Sequence, residues 1–86
     1  MNIKVEREDG GPPVAHVECM DTDTIARFKD LLKERTRIPV EEQHLLYKME
    51  ELENSETLGN YGIAPCGTLQ LKQTYDIKIL IAIAIR

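Results

Sequence analysis

The side chains most capable of chemistry in this sequence are those of two cysteines and two histidines. Of Cys19, Cys66, His16 and His44, only His16 and Cys19 are close in sequence, on one predicted strand with His16 outward and Cys19 inward, and no Cys-x-x-Cys pair occurs. Zinc ligands usually come at such short spacing, and a nucleophilic cysteine needs a histidine base beside a substrate cleft. A chain of 86 residues has little room for that cleft. We therefore expect no catalytic residues, no metal site and no cofactor.

Composition narrows the class of partner. The formal net charge is -4, and lysines and arginines form no run of the kind that neutralises nucleic-acid phosphates. The longest apolar run, 79–85, is far shorter than the roughly 20 residues of a membrane-spanning helix, and Met1 leads into a polar segment unlike a signal peptide. Two unpaired thiols suit a reducing compartment. These features predict a cytoplasmic or nuclear protein that binds proteins, not nucleic acid or membrane.

Two apolar–polar alternations at the N-terminus predict a β-hairpin. Ile3 and Val5 alternate with polar neighbours, which is the period of a half-buried strand. The turn-forming stretch DGGPP, 9–13, interrupts this pattern. Alternation then resumes over 15–19, with Val17 among the inward residues and His16 and Glu18 pointing to solvent.

A helix is predicted over 24–36. Thr24 is its expected N-terminal cap, and Ile25, Phe28 and Leu32 follow at helical spacing. The charged residues of this stretch are expected on the solvent side, namely Arg27, Lys29, Asp30, Lys33 and Glu34. Pro39 ends the helix, because the residue before a proline is disfavoured in helical conformation.

The remaining segments complete a β-β-α-β-β order with a short edge strand. A short turn over 40–43 precedes a third strand, in which Leu46 points outward and Leu45 and Tyr47 inward. The edge strand is expected near Leu52, a turn of helix within 57–63, and a last strand over 68–73. The inward residues of these later segments are Leu58, Ile63, Leu69 and Leu71, whereas Gln70 and Lys72 face outward. A mixed sheet packed on one helix is the expected α+β fold.

From Asp23 to Lys72 the chain resembles ubiquitin without a gap, and the hairpin matches once its turn is allowed two extra residues. The matching motifs are Asp23-Thr24-Ile25, Lys29, Ile38-Pro39, Gln43 with Leu45, Leu52-Glu53, Thr57-Leu58, Tyr61, Ile63, and Thr68-Leu69 with Leu71. The resemblance implies a ubiquitin-like β-grasp domain over 1–74. It also implies that the Tyr61 hydroxyl bonds to the backbone.

The C-terminal end of this chain differs from that of ubiquitin. Ubiquitin and its conjugated relatives end in Gly-Gly, whereas this chain continues through Ile77-Lys78 to Arg86. The resemblance therefore favours a non-catalytic interaction domain of a larger protein, linked to the ubiquitin–proteasome system. The alternative is a divergent covalent modifier whose natural Gly-Gly terminus is absent from this sequence.

The resemblance also places an interaction patch on the outer face of the sheet. Leu46 corresponds to the central apolar residue of the family's patch, while Gln70 and Lys72 replace a histidine and a valine. His44 and Met49 complete the predicted protein-binding residues. Because these replacements remove apolar contacts, standard ubiquitin-receptor binding should be abolished or redirected. The expected partners are ubiquitin receptors or proteasome-associated proteins.

The segment 75–86 is an apolar tail with isoleucine at every odd position from Ile77 to Ile85. Asp76-Ile77-Lys78-Ile79 echoes Asn2-Ile3-Lys4-Val5, so one hypothesis is that the tail begins a further domain. A second hypothesis is that 77–85 pairs as a strand with another copy to form a homodimer. A third is that the tail is an extraneous or poorly ordered end.

Overall fold

The structure is a computed structural model that describes residues 1–8, 10 and 13–73; the hypotheses about the tail therefore lie outside the described residues. Its elements are β1 (Asn2–Arg7), β2 (Pro13–Glu18), α1 (Ile25–Thr36), β3 (Gln43–Tyr47), β4 (Glu50–Glu51) and β5 (Thr68–Gln73). Short 3-10 turns occupy Val40–Glu42 and Gly59–Tyr61. Among these elements no helix combines the length and the apolar character needed to cross a membrane.

The strands form one five-stranded mixed sheet in the order β2-β1-β5-β3-β4. β1 and β5 lie side by side and parallel at its centre, in a register that pairs Lys4 with Thr68 and Arg7 with Leu71. The other neighbouring strands are antiparallel. The sheet and the single long helix confirm the predicted α+β, ubiquitin-like β-grasp architecture.

The helix packs its apolar stripe against the sheet. Thr24 caps it as expected, since the Thr24 Oγ1 accepts a hydrogen bond from the Arg27 backbone N–H at 3.2 Å. Ile25, Phe28 and Leu32 are fully buried. The sheet and loops contribute the rest of the apolar core, namely Ile3, Val5, Val17, Cys19, Ile38, Leu45, Leu52, Leu58, Ile63, Leu69 and Leu71.

Two polar residues differ from the sequence prediction. Lys29 was expected on the solvent side of the helix, but its side chain is only 7% exposed. It lies four residues after Ile25, so it follows the buried face of the helix whatever its charge. Gln43 was assigned to a turn, yet it is the first residue of β3 and is buried. Its Nε2 donates to the backbone oxygens of Lys29 at 3.1 Å and Ile38 at 2.9 Å, which fastens β3 to the helix.

The long connection between β4 and β5 is held by one tyrosine. The backbone N–H of Glu53 donates to the Tyr61 hydroxyl at 2.8 Å, so the predicted hydroxyl–backbone bond is confirmed. Leu58 and Ile63 on either side of Tyr61 are buried, also as predicted. The edge strand is Glu50–Glu51, and Leu52 follows it, with its N–H donating to the Leu45 oxygen at 2.8 Å.

Candidate functional site

The outer face of the sheet, the side turned away from α1, brings together most of the predicted binding residues. In the antiparallel pairing of β3 with β5, Leu46 lies opposite Gln70 and His44 opposite Lys72. Leu45 and Leu71 of the same strands are buried, so alternation places these four residues on the outer face. Leu46 is half-buried there and is not part of the core. We call Leu46, His44, Met49, Gln70 and Lys72 the Leu46 patch.

Carboxylates border this patch, which sequence reasoning missed. Glu51 of β4 lies opposite Leu46 on one side, and Glu6 of β1 lies opposite Gln70 on the other. Leu46 is thus flanked by polar side chains on both neighbouring strands, Gln70 on β5 and Glu51 on β4. A two-residue turn at 48–49 already places Glu51 beside Leu46, so counting along the hairpin would have found this neighbour.

The charges at the patch are partly paired within the sheet. The His44 Nδ1 lies 3.0 Å from the Glu51 Oε1, a contact that becomes an ion pair when His44 is protonated. The Lys4 Nζ lies 3.0 Å from the Glu6 Oε1. Lys72 is exposed beside His44. A partner that fits this face must cover one leucine and match a polar rim of both signs.

Met49 stands at the turn between β3 and β4. The structure does not place it in a strand row with Leu46, but its side chain is 89% exposed. Lys48 and Met49 both have left-handed backbone conformations, with φ of 52° and 68°. The Lys48 Nζ lies 5.3 Å from the centre of the Tyr47 ring, which adds a cation–π contact at this turn.

The cysteines lie in two different environments. Cys19 is buried, and burial raises the pKa of its thiol, although the N-terminal ammonium opposes the shift in part. Cys66 is exposed in the loop before β5. Within the described ranges, His, Cys, Asp and Glu nowhere gather in a group of three or more that could hold a metal ion.

A mixed five-stranded sheet wrapped over one helix, with a tyrosine-anchored loop before the last strand, defines a ubiquitin-like β-grasp domain. The sequence model of the ubiquitin family matches residues 1–75. The chain belongs to the ubiquitin family.

Among curated proteins, the chain is similar to Ubiquitin-like protein 4A of three vertebrates. Identity is 33% over 57 residues for Xenopus laevis, which covers 66% of this chain and 38% of the relative. It is 32% over 57 residues for Xenopus tropicalis, again 66% of this chain and 38% of the relative. For Danio rerio the identity is 34% over 56 residues, which covers 65% of this chain and 36% of the relative. The match therefore spans well under half the length of each relative.

Proposed function

We propose that this chain is a non-catalytic protein-interaction domain, which acts in the cytoplasm or nucleus and links a larger protein to the ubiquitin–proteasome system. The observation that carries the proposal is the position of Leu46, half-buried on the outer face while the neighbouring leucines of β3 and β5 are inside. An apolar centre with a polar rim is the usual anatomy of a protein-binding surface.

The chemistry of the rim defines what the partner must supply. Gln70 offers hydrogen bonds, Lys72 a positive charge, and His44 with Glu51 a pair whose charge depends on protonation. Leu46 would be the anchor, because a few central residues supply most of the energy of an interface. Met49 would extend the apolar contact from the turn.

The direct test replaces Leu46 with arginine. The chain would be assayed by surface plasmon resonance against a panel that adds proteasome-associated receptors to the standard ubiquitin-receptor domains, because the residues at positions 70 and 72 are expected to redirect binding from the standard receptors. Leu46→Arg should weaken binding by about 2 kcal/mol or more, the loss typical of a hot spot. The free energy of unfolding should fall by no more than about 1 kcal/mol, because Leu46 lies outside the core.

His16→Arg is the matched control. It adds the same side chain to the same face of the sheet, but on β2, which is separated from β3 by β1 and β5. It should bind as the parent does. If no receptor in the panel binds the parent, the proposed link to the ubiquitin–proteasome system is refuted. If Leu46→Arg binds as tightly as the parent, the Leu46 patch is not the binding surface.

A further inference from the structure

A groove lies outside the Leu46 patch, at the end of the sheet where β1 begins and β2 ends. It has a volume of about 510 Å³ and is lined by Met1, Met20 and Asp21 together with Gly59, Gly62, Ile63 and Pro65. One wall is the turn that joins β2 to α1. The other wall is the loop that contains the 3-10 turn Gly59–Tyr61.

The two walls are tied together by backbone hydrogen bonds. The Gly59 N–H donates to the Asp21 oxygen at 2.8 Å, and the Leu58 N–H donates to the Asp23 oxygen at 3.1 Å. A Cβ at Gly59 would lie 3.2 Å from the Asp21 oxygen, so the missing side chain permits this close approach. A groove whose walls are fixed in advance needs little ordering when a ligand binds.

The groove presents apolar surface to water. Met20 is 65% exposed, and Pro65 beside it is also exposed. The position of Met20 is set by its backbone, since its N–H donates to the Asp23 Oδ2 at 2.9 Å. A methionine thioether is flexible and polarisable, which suits it to contact with differently shaped apolar side chains.

The groove carries a negative charge, on Asp21, that has no ion-pair partner among the described residues. The Asp21 carboxylate makes no hydrogen bond or ion pair within the described part of the chain, and no Lys or Arg of that part lines the groove. The carboxylate of Glu18 is 3.5 Å from the Met1 ammonium, which also donates to the Cys19 oxygen at 2.6 Å. The positive charge of Met1 is therefore already engaged.

We propose that this groove is a second docking surface, and that its occupant is a short basic segment of a partner protein with a large apolar side chain. The apolar side chain would lie against Met20 and Pro65, and a neighbouring Lys or Arg would pair with Asp21. The charge at the groove selects this occupant over an acidic one. Because the groove shares no residue with the Leu46 patch, the domain would hold two partners at once.

The test begins with a random short-peptide library displayed on phage, selected on the full chain. The recovered peptides should combine Lys or Arg with a large apolar residue. Synthetic versions would be titrated into the labelled chain while amide chemical shifts are followed by NMR. The largest shifts should fall on Met20, Asp21, Gly59 and Gly62.

Two variants and one control separate the groove from other surfaces. Met20→Glu and Asp21→Lys should each weaken peptide binding by about tenfold or more, as expected for central contacts. Both side chains are exposed, so both variants should keep the melting temperature of the parent. Met49→Glu is the matched control, because it makes the same change at the other large apolar side chain that is exposed among the described residues. It should leave peptide binding unchanged, and so should Leu46→Arg.

Three results would overturn the proposal. The first is a selection that yields no peptide able to distinguish the parent from Met20→Glu. The second is a set of peptides that are acidic or uncharged, and the third is a shift pattern centred on the Leu46 patch. None of these depends on whether Leu46 binds ubiquitin receptors, so the two proposals fail separately.

Discussion

Lys29 is the residue whose position is least expected from its chemistry. It occupies the buried face of α1, and the structure shows no hydrogen bond or ion pair for its ammonium among the described residues. Burial lowers the pKa of Lys29 below the ordinary 10.5, while the charge of Glu51 opposes the shift in part. Partial removal of the ammonium from water costs free energy that an apolar side chain of the same length does not lose.

At neutral pH the free energy of unfolding of Lys29→Met should therefore equal that of the parent or exceed it by up to about 1 kcal/mol. Since the folded pKa is lowered, the unfolded chain holds more protons as pH rises toward 10.5, so the parent gains stability across that alkaline window. Lys29→Met lacks this group, and its advantage should shrink over the same window. Urea denaturation of both proteins at several pH values measures the difference. A constant difference would contradict this account.

At the residue scale, burial of Lys29 was predicted wrongly from the type of its side chain, although the helical period gives its position correctly. Spacing from Ile25 places Lys29 on the buried face, but its charge favoured assignment to solvent. Gln43 has no apolar signature, and its burial depends on two carbonyls, of Lys29 and Ile38, that the sequence does not bring near it. The contact of His44 with Glu51 likewise exists because a tight turn folds β4 back on β3.

The turn between β3 and β4 is the element with the clearest backbone strain. Tyr47 pairs with Glu50, and the two residues between them have positive φ, which is the signature of a type I′ turn. Such turns favour Gly at the second central position, whereas this chain has Met49. A non-glycine residue in this conformation costs about 1 kcal/mol.

Met49→Gly should stabilise the fold by about 0.5 kcal/mol, because relief of strain exceeds the larger entropy of glycine in the unfolded chain. Met49→Ala is the control, since it removes the same exposed side chain but keeps the strain; it should leave stability near that of the parent. Thermal unfolding followed by circular dichroism compares the three. A Met49→Gly protein less stable than Met49→Ala would show that the turn is not strained.

The elements themselves were predictable, but the surfaces between loops were not. The hairpin, α1, β3 and β5 carry repeated apolar spacing that packing against one core reinforces, as Val5, Phe28 and Leu69 illustrate. The groove beside Met20 joins two loops with no periodic pattern. Its walls meet through backbone bonds, which side-chain chemistry does not encode.

At the scale of the whole molecule, the alkylation rates of the two cysteines measure whether the fold is intact. Cys66 is exposed, whereas Cys19 belongs to the core and burial raises the pKa of its thiol. Iodoacetamide reacts with thiolate, so it should modify Cys66 rapidly in native buffer and leave Cys19 unmodified. Peptide mass mapping measures the two rates.

In a Cys66→Ser variant, alkylation of Cys19 should follow global unfolding and accelerate across the denaturant transition. Native-state modification of Cys19 at the rate seen for Cys66 would mean that the end of β2 opens without the rest of the core.

The parallel pairing of β1 with β5 has a consequence for folding during protein synthesis. β1, the first strand of this sheet to be synthesised, lies in the finished sheet between β2 and a strand made some sixty residues later, since Val5 pairs with Leu69. Until β5 emerges, Ile3 and Val5 lack their neighbours on that strand, and β1 has an open backbone edge. Such long-range pairing delays folding and leaves nascent chains prone to association. This domain can therefore close only after β5 has left the ribosome, and chaperones have that interval in which to act.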